Sequence, residues 1–485
     1  MPYDVVIIGG GYSGLSCGVL LTRAGQRVCV LERGRVLGGA FQPFRRGGVT
    51  LDTGFHYVGG VGEGEMMHPL MERLGLADLP WVRLDDDFLQ VSCNGSSYSL
   101  TCGYDRFEES LIKNFPDEQE GIALLVATLR HVAEHIYETV DPQSGYVNEL
   151  MQVSAKAWLE EHIKDSRLRR LLCAQAVTTN LTPDLPLYSF IQSLNSFVQH
   201  SYRIEGGGET IITRLRDVIV EGGGEVLTGR NVTTFQHDGN GRILSAVCSD
   251  GDEFAAKQFI STLHPALSVA LMPDCPQVRG IYRRRFSRMP NSRGIFTVQL
   301  ILKPHTVPYR NHVLSILGSD DPWNADYGAS APVENLLVNY NVPCGDRAFA
   351  ENIDLLTPMD FNAVAQWSES RVGARPDEYK RFKERRAQEC INLAQRYIPE
   401  LEGNIEAVYT SSPLTYRDYT GTVDGSAYGV CKSATSIAGG MLSPTTPFEN
   451  LFLAGQSLML HGMLGVGMTS LLVTNILLSW KNTHS

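Results

Sequence analysis

Hydrophobic and polar positions form distinct blocks along this chain, and the first block predicts a strand, a helix and a second strand. Val5 to Ile8 are a short run of apolar residues, mostly β-branched, which is typical of a buried parallel strand. Glycines follow at once, and the helix predicted next, roughly Gly14 to Ala24, ends at Gly25. A second buried strand, Val28 to Leu31, leads to Glu32. The pattern therefore predicts a βαβ unit at the start of the chain.

Helical periodicity dominates later parts of the chain. Glu120 to Val140 and Ala155 to Ala176 carry apolar residues at helical spacing, and an amphipathic helix is predicted from about Pro376 to Tyr397. Strand patterns return between these regions and again at Leu451 to Gly455. The last apolar segment, Met463 to Trp480, is interrupted by glycines and hydroxyl residues, so it predicts a buried helix rather than a membrane span.

Composition places the chain among globular proteins that do not bind nucleic acid. The formal charge of -11 over 485 residues is moderately acidic, which disfavours a nucleic-acid partner. The ten cysteines are scattered without a metal-like cluster, so we expect reduced thiols and no metal site. The first predicted strand begins at residue 3 or 4, which leaves no room for a signal peptide. We expect a cytoplasmic protein, with peripheral contact to a membrane left open.

The glycines after the first strand carry the clearest chemical signal. Gly9, Gly11 and Gly14 have the G-x-G-x-x-G spacing, in which the first permits a tight turn and the second lets backbone approach a pyrophosphate. The third lets the helix pack closely on the strand, and the amides at the helix N-terminus would face the phosphates. Glu32 ends the second strand, where a carboxylate accepts the ribose hydroxyls of an adenosine. An acid at this position indicates FAD or NAD rather than NADP.

Four further segments carry a family likeness. They are Leu51 to Gly59, the Gly206–Gly208 loop with its helix, Ser412 to Gly429, and His461 to Gly467. Together with the glycine turn, they resemble the phytoene-dehydrogenase-like FAD oxidoreductases, in the carotenoid isomerase and retinol saturase branch of the flavin amine oxidase superfamily. The resemblance spans nearly the whole chain, and its Asp-Thr-Gly-Phe-His-Tyr stretch is fairly specific to that branch.

The resemblance implies an α/β fold with a Rossmann-like FAD-binding domain of the glutathione-reductase type. A discontinuous, mixed α+β domain would cover the substrate. We expect the FAD-binding domain to comprise residues 1–65, 198–280 and 426–485, and the substrate-binding domain to comprise residues 66–197 and 281–425.

The resemblance also implies contacts to FAD from the pyrophosphate to the flavin. Val232 would pair its backbone with adenine. Apart from the resemblance, the final helix is expected to begin near Val466 and to point its positive end at the N1–C2=O edge of the flavin, with an ordinary packed C-terminal helix as the alternative. Many relatives carry an acidic residue where this chain has Gln456. The predicted cofactor contacts are Gly9, Gly11, Tyr12, Ser13, Gly14, Glu32, Arg33, Gly38, Gly39, Ala40, His56, Val232, Gly455, Gln456, Gly465 and Val466.

For the substrate, the resemblance implies a long apolar polyene or isoprenoid. The two cap regions are rich in Leu, Phe and Tyr, which is compatible with such a molecule. His56 is a candidate catalytic acid or base near the flavin, with a structural histidine bonded to backbone as the alternative. Tyr57, Tyr416 and Tyr428 are expected to line the substrate pocket.

Three chemistries and one non-catalytic role stay open at this point. The first is an FAD-dependent oxidoreductase that desaturates or saturates a carbon–carbon bond of a polyene. The second is non-redox cis/trans isomerisation of a polyene by an enzyme that uses reduced FAD. The third, amine oxidation, requires a cage of paired aromatic rings and a lysine bonded through water to the flavin. A binding protein that holds FAD structurally is the fourth. We predict the first.

Overall fold

The chain folds around two seven-stranded sheets in a computed structural model that describes residues 2–93, 95–141, 143–146, 148–175, 177–436 and 441–484. The described strands are β1 (Tyr3–Ile8), β2 (Val28–Glu32), β3 (Pro43–Arg46), β4 (Val49–Asp52), β5 (Val58–Gly59), β6 (Trp81–Arg83), β7 (Leu89–Cys93), β8 (Ser96–Leu100), β9 (Ser201–Ile204), β10 (Glu225–Thr228), β11 (Val232–His237), β12 (Ile243–Cys248), β13 (Glu253–Ser261), β14 (Gly294–Leu302), β15 (Val313–Leu317), β16 (Asn335–Tyr340), β17 (Asn352–Met359), β18 (Ile405–Ser411) and β19 (Leu451–Leu453). The described α-helices are α1 (Tyr12–Arg23), α2 (His68–Leu74), α3 (Tyr104–Asn114), α4 (Gln119–Glu134), α5 (Ala155–His162), α6 (Ser166–Leu172), α7 (Leu187–Val198), α8 (Gly208–Glu221), α9 (Pro265–Leu271), α10 (Gly280–Ser287), α11 (Asp377–Gln395), α12 (Pro413–Thr420) and α13 (Gly462–His484).

The first sheet contains the predicted βαβ unit. Strands β10, β2, β1, β13 and β19 lie side by side in that order and all run parallel. Val5 to Ile8 fill β1 and are buried, as the apolar run predicted. The first half of β13 also pairs with β12 and, through it, with β11 in an antiparallel ribbon. The parallel strands come from the start, the middle and the end of the chain, so the sheet is complete only when β19 joins β13.

Helix α1 packs on β1 and β2 of the first sheet, and two other helices pack beside it. Helix α1 contacts both α8 and α13, and nearly all of its residues are buried. Gly18 permits one of these contacts, because a Cβ there would lie 2.6 Å from Ile219 Cδ1 of α8. The helix predicted for residues 14–24 is confirmed, and it begins at Tyr12.

The second sheet has the order β18-β14-β17-β16-β15-β7-β8 and is mostly antiparallel. Strands β14, β16 and β17 are buried along their whole length, so both faces of the sheet are covered. Helix α11 covers one face with residues at helical spacing, among them Tyr379, Phe382 and Cys390. This face and its helix form a core separate from the core of the first sheet.

A small sheet of β5, β9 and β6 fixes the loop that precedes β5. Its anchor is Arg203 of β9, which is fully buried. The Arg203 guanidinium donates to the backbone carbonyl of His312 at 2.9 Å, and its Nε donates to Asn339 Oδ1 at 3.2 Å. The small sheet is thereby tied to one end of the interior strands β15 and β16 of the second sheet.

Two predicted helical segments are divided in the structure. In the segment Glu120–Val140, the α-helix ends at Glu134. A 3₁₀ turn follows over Glu138–Val140. The segment Ala155–Ala176 divides into α5 and α6 because Asp165 caps α6, with its Oδ1 accepting from Arg167 N at 2.7 Å. Ala176 lies outside the described residues.

The final helix begins at Gly462, so the expected start near Val466 is wrong. Gly465 and Gly467 therefore lie within the helix, where they allow close packing. A Cβ on Gly467 would lie 2.4 Å from Leu70 Cδ2, and one on Gly465 would lie 2.3 Å from Leu460 Cβ. The window Gly462–Ser479 is long and apolar enough to cross a membrane, but 67% of it is buried inside the protein, as predicted for a core helix.

Candidate active site

A cavity of about 570 Å³ lies between the two large sheets. Ile8 and Leu31, at the C-terminal ends of β1 and β2, line one side, and Ile295 and Leu356 of the second sheet line another. Open α/β sheets bind ligands at this edge, beyond the carboxyl ends of their strands. The predicted site residues that line the cavity are Gly9, Gly11, Tyr12, Ser13, Glu32, Arg33, Gly38, Gly39, Ala40, His56, Tyr57, Val232, Tyr416, Tyr428, Gly455, Gln456, Gly465 and Val466.

Gly14 is the predicted site residue that does not line the cavity. A Cβ on Gly14 would lie 1.9 Å from the carbonyl oxygen of Gly9, so this glycine is needed for the helix to pack on the turn. Gly9 has a φ of 107°, which favours glycine. Gly11 differs from both, because a Cβ there would meet no described atom closer than Gly38 O at 3.7 Å. The space beside Gly11 opens into the cavity.

The first turn of α1 supplies free backbone amides beside Gly11. Gly11 is the N-cap residue, and within the described structure no side chain caps the helix. The first amides of a helix have no partner inside it, so they are available to an anion. Gly38 and Gly39 run beside this turn with positive φ angles of 119° and 57°, and Gly38 pairs with Gly11. The turn and the glycine pair together form a cradle of backbone.

Glu32 lies at one end of the cavity. Its carboxylate accepts from Gly10 N at 2.8 Å and from Gly34 N at 2.7 Å, and each oxygen keeps a further lone pair for a ribose hydroxyl. Arg230 is joined to the same residue through its backbone, since Arg230 N donates to Glu32 O at 2.8 Å. The Arg33 guanidinium lies 3.4 Å from the carbonyl oxygen of Asp418. We refer to this region, with Glu32, Arg33, Arg230 and Val232, as the nucleotide end.

Asp52 connects two of the segments that carry the family likeness. Its Oδ1 accepts from the backbone N–H of Gly208, the first residue of α8, at 2.9 Å. A Cβ on Gly207 would lie 2.2 Å from Asp52 Oδ2, so the loop approaches the carboxyl group closely. Burial raises the pKa of Asp52 from 3.8 to about 7, although the bond from Gly208 lowers it. Asp52 therefore holds the strand that leads to His56.

His56 is bonded to a buried carboxylate. Its Nδ1 lies 3.2 Å from Asp354 Oδ2, on β17 of the second sheet, and Asp354 is fully buried. Asn341 Nδ2 donates to the same oxygen at 3.0 Å. Because a carboxylate accepts, His56 carries its proton on Nδ1 and leaves Nε2 as the other polar atom of the ring. The predicted alternative, a histidine bonded to backbone, does not describe this contact.

The three predicted tyrosines differ in how their hydroxyl groups are used. Tyr416 OH bonds to Thr297 Oγ1 at 2.7 Å and to the carbonyl of Thr53 at 3.1 Å. Tyr428 OH donates to the carbonyl of Val177 at 2.5 Å. Among the described residues, Tyr57 OH has no partner. Of the three hydroxyl groups, only that of Tyr57 is therefore both buried and unpaired within the described residues.

His461, just before α13, is a second histidine in the cavity wall. Its Nε2 lies 3.0 Å from the carbonyl of Thr178, and its ring lies 4.3 Å from the ring of Tyr428. Removal from water lowers the pKa of His461 to about 4, so the ring is neutral at physiological pH. Nε2 therefore donates to Thr178.

Gln456 and Lys432 form hydrogen bonds to residues of the cavity wall. The Gln456 side chain donates to Ala427 O and accepts from Gly429 N, both at 3.3 Å. The Lys432 ammonium donates to the carbonyl of Ser457, and burial lowers the pKa of Lys432 to about 7. Lys432 is not among the residues that line the cavity. The lysine required by the amine oxidase alternative is therefore not supplied by this residue.

Comparison with known proteins assigns the family. A family model for flavin containing amine oxidoreductases matches residues 12–352, well over half of the chain. The chain belongs to this family. It is similar to the all-trans-retinol 13,14-reductase of Homo sapiens, with 24% identity over 543 residues, covering 99% of this chain and 86% of the relative. It is also similar to the chloroplastic prolycopene isomerase of Daucus carota, with 22% identity, covering 94% of this chain and 76% of the relative.

A solved structure supports the same fold. An oxidoreductase from Methanosarcina mazei aligns with a TM-score of 0.64 at 18% identity, over 97% of this chain and 99% of that chain. Together with the family match, this confirms the predicted α/β flavoprotein fold and the predicted FAD-dependent oxidoreductase class.

The residues of the cavity fit FAD. Open space beside Gly11 and the free amides of α1 suit a pyrophosphate, and Glu32 at the nucleotide end suits an adenosine ribose. The N-terminal turn of α13 also lines the cavity, through Gly462 to Val466, where its positive end would face the flavin. The individual contacts to FAD stay predictions.

Sequence reasoning missed several residues of the site. Asp354 is 298 positions from His56, and no local pattern joins them. Phe41 stacks on Tyr12 with ring centroids 5.2 Å apart and also lines the cavity. Ser189 and Gln192 of α7 also line the cavity, and their helical spacing could have found them.

Proposed function

We propose that this flavoenzyme adds hydrogen across a carbon–carbon double bond of a long apolar polyene. The observation that carries the proposal is the charge distribution of the cavity. Among its described lining residues, Glu32 is the only carboxylate, and Arg33 and Arg230 are the only lysine or arginine residues. All three lie at the nucleotide end, so the rest of the wall suits an uncharged molecule.

The relatives support this substrate class and direction. Proteins named all-trans-retinol 13,14-reductase match 99% of the chain, and their name describes reduction of a polyene. An amine substrate fits the wall less well, because no carboxylate in the described lining lies away from the nucleotide end.

His56 is proposed as the proton donor. Saturating a double bond needs a hydride on one carbon and a proton on its neighbour, and bound FAD supplies the hydride chemistry. Asp354 accepts a hydrogen bond from His56 Nδ1, so Nε2 is the ring nitrogen left for proton transfer. The carboxylate also stabilises the imidazolium that must form before Nε2 can donate a proton. The partly buried amide of Asn341 keeps Asp354 in place through its hydrogen bond to Oδ2. Asp354 is thus a positioning residue for His56.

Isomerisation of a polyene is the second candidate. The likeness to a prolycopene isomerase over 94% of the chain favours it. An isomerase changes bond geometry without adding hydrogen, so the two functions separate by product mass.

The experiment is anaerobic. The purified holoenzyme is reduced chemically and mixed with all-trans-retinol while flavin absorbance and retinoid products are followed. Reoxidation of the flavin in step with loss of a double bond supports the reductase. A change of geometry with the flavin still reduced supports the isomerase, and no change in either refutes retinol as a substrate.

We also propose the domain limits given above, a cytoplasmic location and peripheral contact with a membrane. The contribution of both chain ends to the first sheet supports a discontinuous FAD-binding domain. An apolar substrate that partitions into membranes supports the membrane contact.

A further inference from the structure

Helix α10, with the one residue on either side of it, is a strongly basic segment of an acidic protein. Five of the ten residues from Arg279 to Arg288 are arginine and none is acidic, whereas the whole chain has a formal charge of -11. Four of these arginines are exposed: Arg279, Arg284, Arg285 and Arg288. Within the described residues, none of the four forms an ion pair. Their charges are therefore available to a partner outside the protein.

The inner side of α10 is fixed to the body of the protein. Phe286 is buried, its ring lies 4.8 Å from that of Tyr282, and both residues pack in the core of the first sheet. Arg283 is the fifth arginine, and its guanidinium donates to the carbonyl of Val269 in α9 at 2.8 Å and pairs with Asp274 at 3.0 Å. These contacts hold the helix in one orientation, so its opposite side faces solvent.

The outer side of α10 combines arginines with an apolar residue. Ile281, Arg284, Arg285 and Arg288 occupy positions i, i+3, i+4 and i+7, which lie on one side of a helix. We call these four residues the arginine face. Ile281 is 68% exposed, and no other large apolar residue that the structure describes is exposed as much. Water is an unfavourable environment for this side chain, so a partner that covers it gains apolar contact.

The arginine face fits the surface of a membrane that contains anionic lipids. Guanidinium groups are attracted to the negative headgroups, and an aliphatic side chain between them can enter the boundary between headgroups and acyl chains. Leu267 of α9, the helix that packs against α10, adds a second exposed apolar side chain. A polyanion such as a nucleic acid would pair with the arginines but would give Ile281 no apolar surroundings.

We propose that the arginine face of α10 is the surface through which this protein contacts a membrane, and that the contact selects anionic lipids. This inference rests on the membrane contact included in the proposed function. It adds the surface and the lipid chemistry, neither of which follows from an apolar substrate.

The test measures vesicle binding by the FAD-loaded protein, so it does not depend on turnover. Flotation with phosphatidylcholine vesicles, with and without phosphatidylserine, compares the wild type with the triple variant Arg284→Gln/Arg285→Gln/Arg288→Gln. Each arginine at an anionic membrane strengthens binding by about fivefold. We therefore expect the triple variant to bind the anionic vesicles roughly 100-fold more weakly than the wild type. Added salt should also weaken binding of the wild type.

The matched control is Lys380→Gln/Arg381→Gln/Arg385→Gln. It removes the same charge from α11, where each of the three cations is exposed but paired with an acid of the same helix. We expect this control to bind within about threefold of the wild type. Ile281→Ser should weaken binding to the anionic vesicles while keeping the salt dependence, because it removes apolar contact and no charge. Flavin content and melting temperature are measured on every variant.

The outcomes separate this inference from the proposed function. Equal binding of the wild type to both kinds of vesicle, or a triple variant that binds like the control, overturns the arginine face and leaves a membrane contact elsewhere standing. Binding to neither kind of vesicle overturns both the arginine face and the membrane contact. It does not affect the reductase, which the anaerobic assay tests. Binding to heparin but to neither kind of vesicle would assign the arginines to a polyanion and overturn the inference.

Discussion

The pairing of His56 with Asp354 makes a quantitative prediction about proton transfer. His56→Gln removes the proposed donor, while Asp354→Asn keeps the shape of the carboxyl group and removes its charge. A positioned acid contributes roughly 10²- to 10⁴-fold to a rate. We therefore expect His56→Gln to slow saturation of all-trans-retinol by a factor in that range.

The effect of Asp354→Asn should be smaller. The contact it weakens is one hydrogen bond of 3.2 Å between a ring nitrogen and a fully buried carboxylate. A hydrogen bond to a charged group contributes about 1.5–3 kcal/mol, which corresponds to a rate loss of roughly tenfold to a hundredfold. Asn341 donates to the same oxygen, so the asparagine has a partner and we expect the fold to be kept.

The assay is anaerobic stopped-flow mixing of reduced enzyme with all-trans-retinol, with flavin content and thermal stability measured on each variant. His200→Gln is the matched control, because His200 also pairs with a carboxylate, Glu65, but does not line the cavity. If His56→Gln reacts within about threefold of the wild type at equal flavin content, His56 is not the donor. If Asp354→Asn is slower than His56→Gln, Asp354 does not act through His56.

Three further predictions concern the cofactor cradle and its support. Gly11→Val should fold but retain little FAD, since Gly11 has an unstrained φ of -78° and open space at its Cβ; the flavin-to-protein ratio measures this. Gly14→Val should instead lower the melting temperature, because its Cβ would lie 1.9 Å from Gly9 O, and equal stability of the two variants would contradict the assignment. Asp52 has a folded-state pKa raised from 3.8 to about 7, so its stabilising contribution is present below about pH 4 and is lost as the pH rises toward 7. Asp52→Asn should remove up to about 4 kcal/mol of the change in the free energy of unfolding between these pH values. Urea unfolding at several pH values measures this change, and a variant that keeps the wild-type pH dependence would refute the prediction.

The glycine turn could be predicted from sequence because all of its parts are local. Gly9, Gly11 and Glu32 lie within one βαβ unit, so strand, turn, helix and acid follow one another in a short stretch. The start of the final helix could not be predicted in the same way. One of its glycines, Gly467, packs against Leu70 of α2, and this contact depends on a part of the fold far away in the chain.

The chemistry of the site depends still more on distant contacts. Asp354 meets His56 only because β17 of the second sheet faces the loop before β5. The spacing of Ser189 and Gln192 is visible in the sequence, yet a polar helix face ordinarily indicates solvent. Only the position of α7 against the cavity shows that these residues face inward.

The most direct test of the proposed function is the mass of the product formed in deuterium oxide. The enzyme is reduced anaerobically in this solvent, so that both hydrogens available for transfer are deuterium, and is then mixed with all-trans-retinol. Hydrogen addition predicts a product that has lost one double bond and gained two deuterium atoms for each flavin reoxidised. A retinoid of altered geometry and unchanged mass, formed while the flavin stays reduced, would contradict the reductase and identify an isomerase.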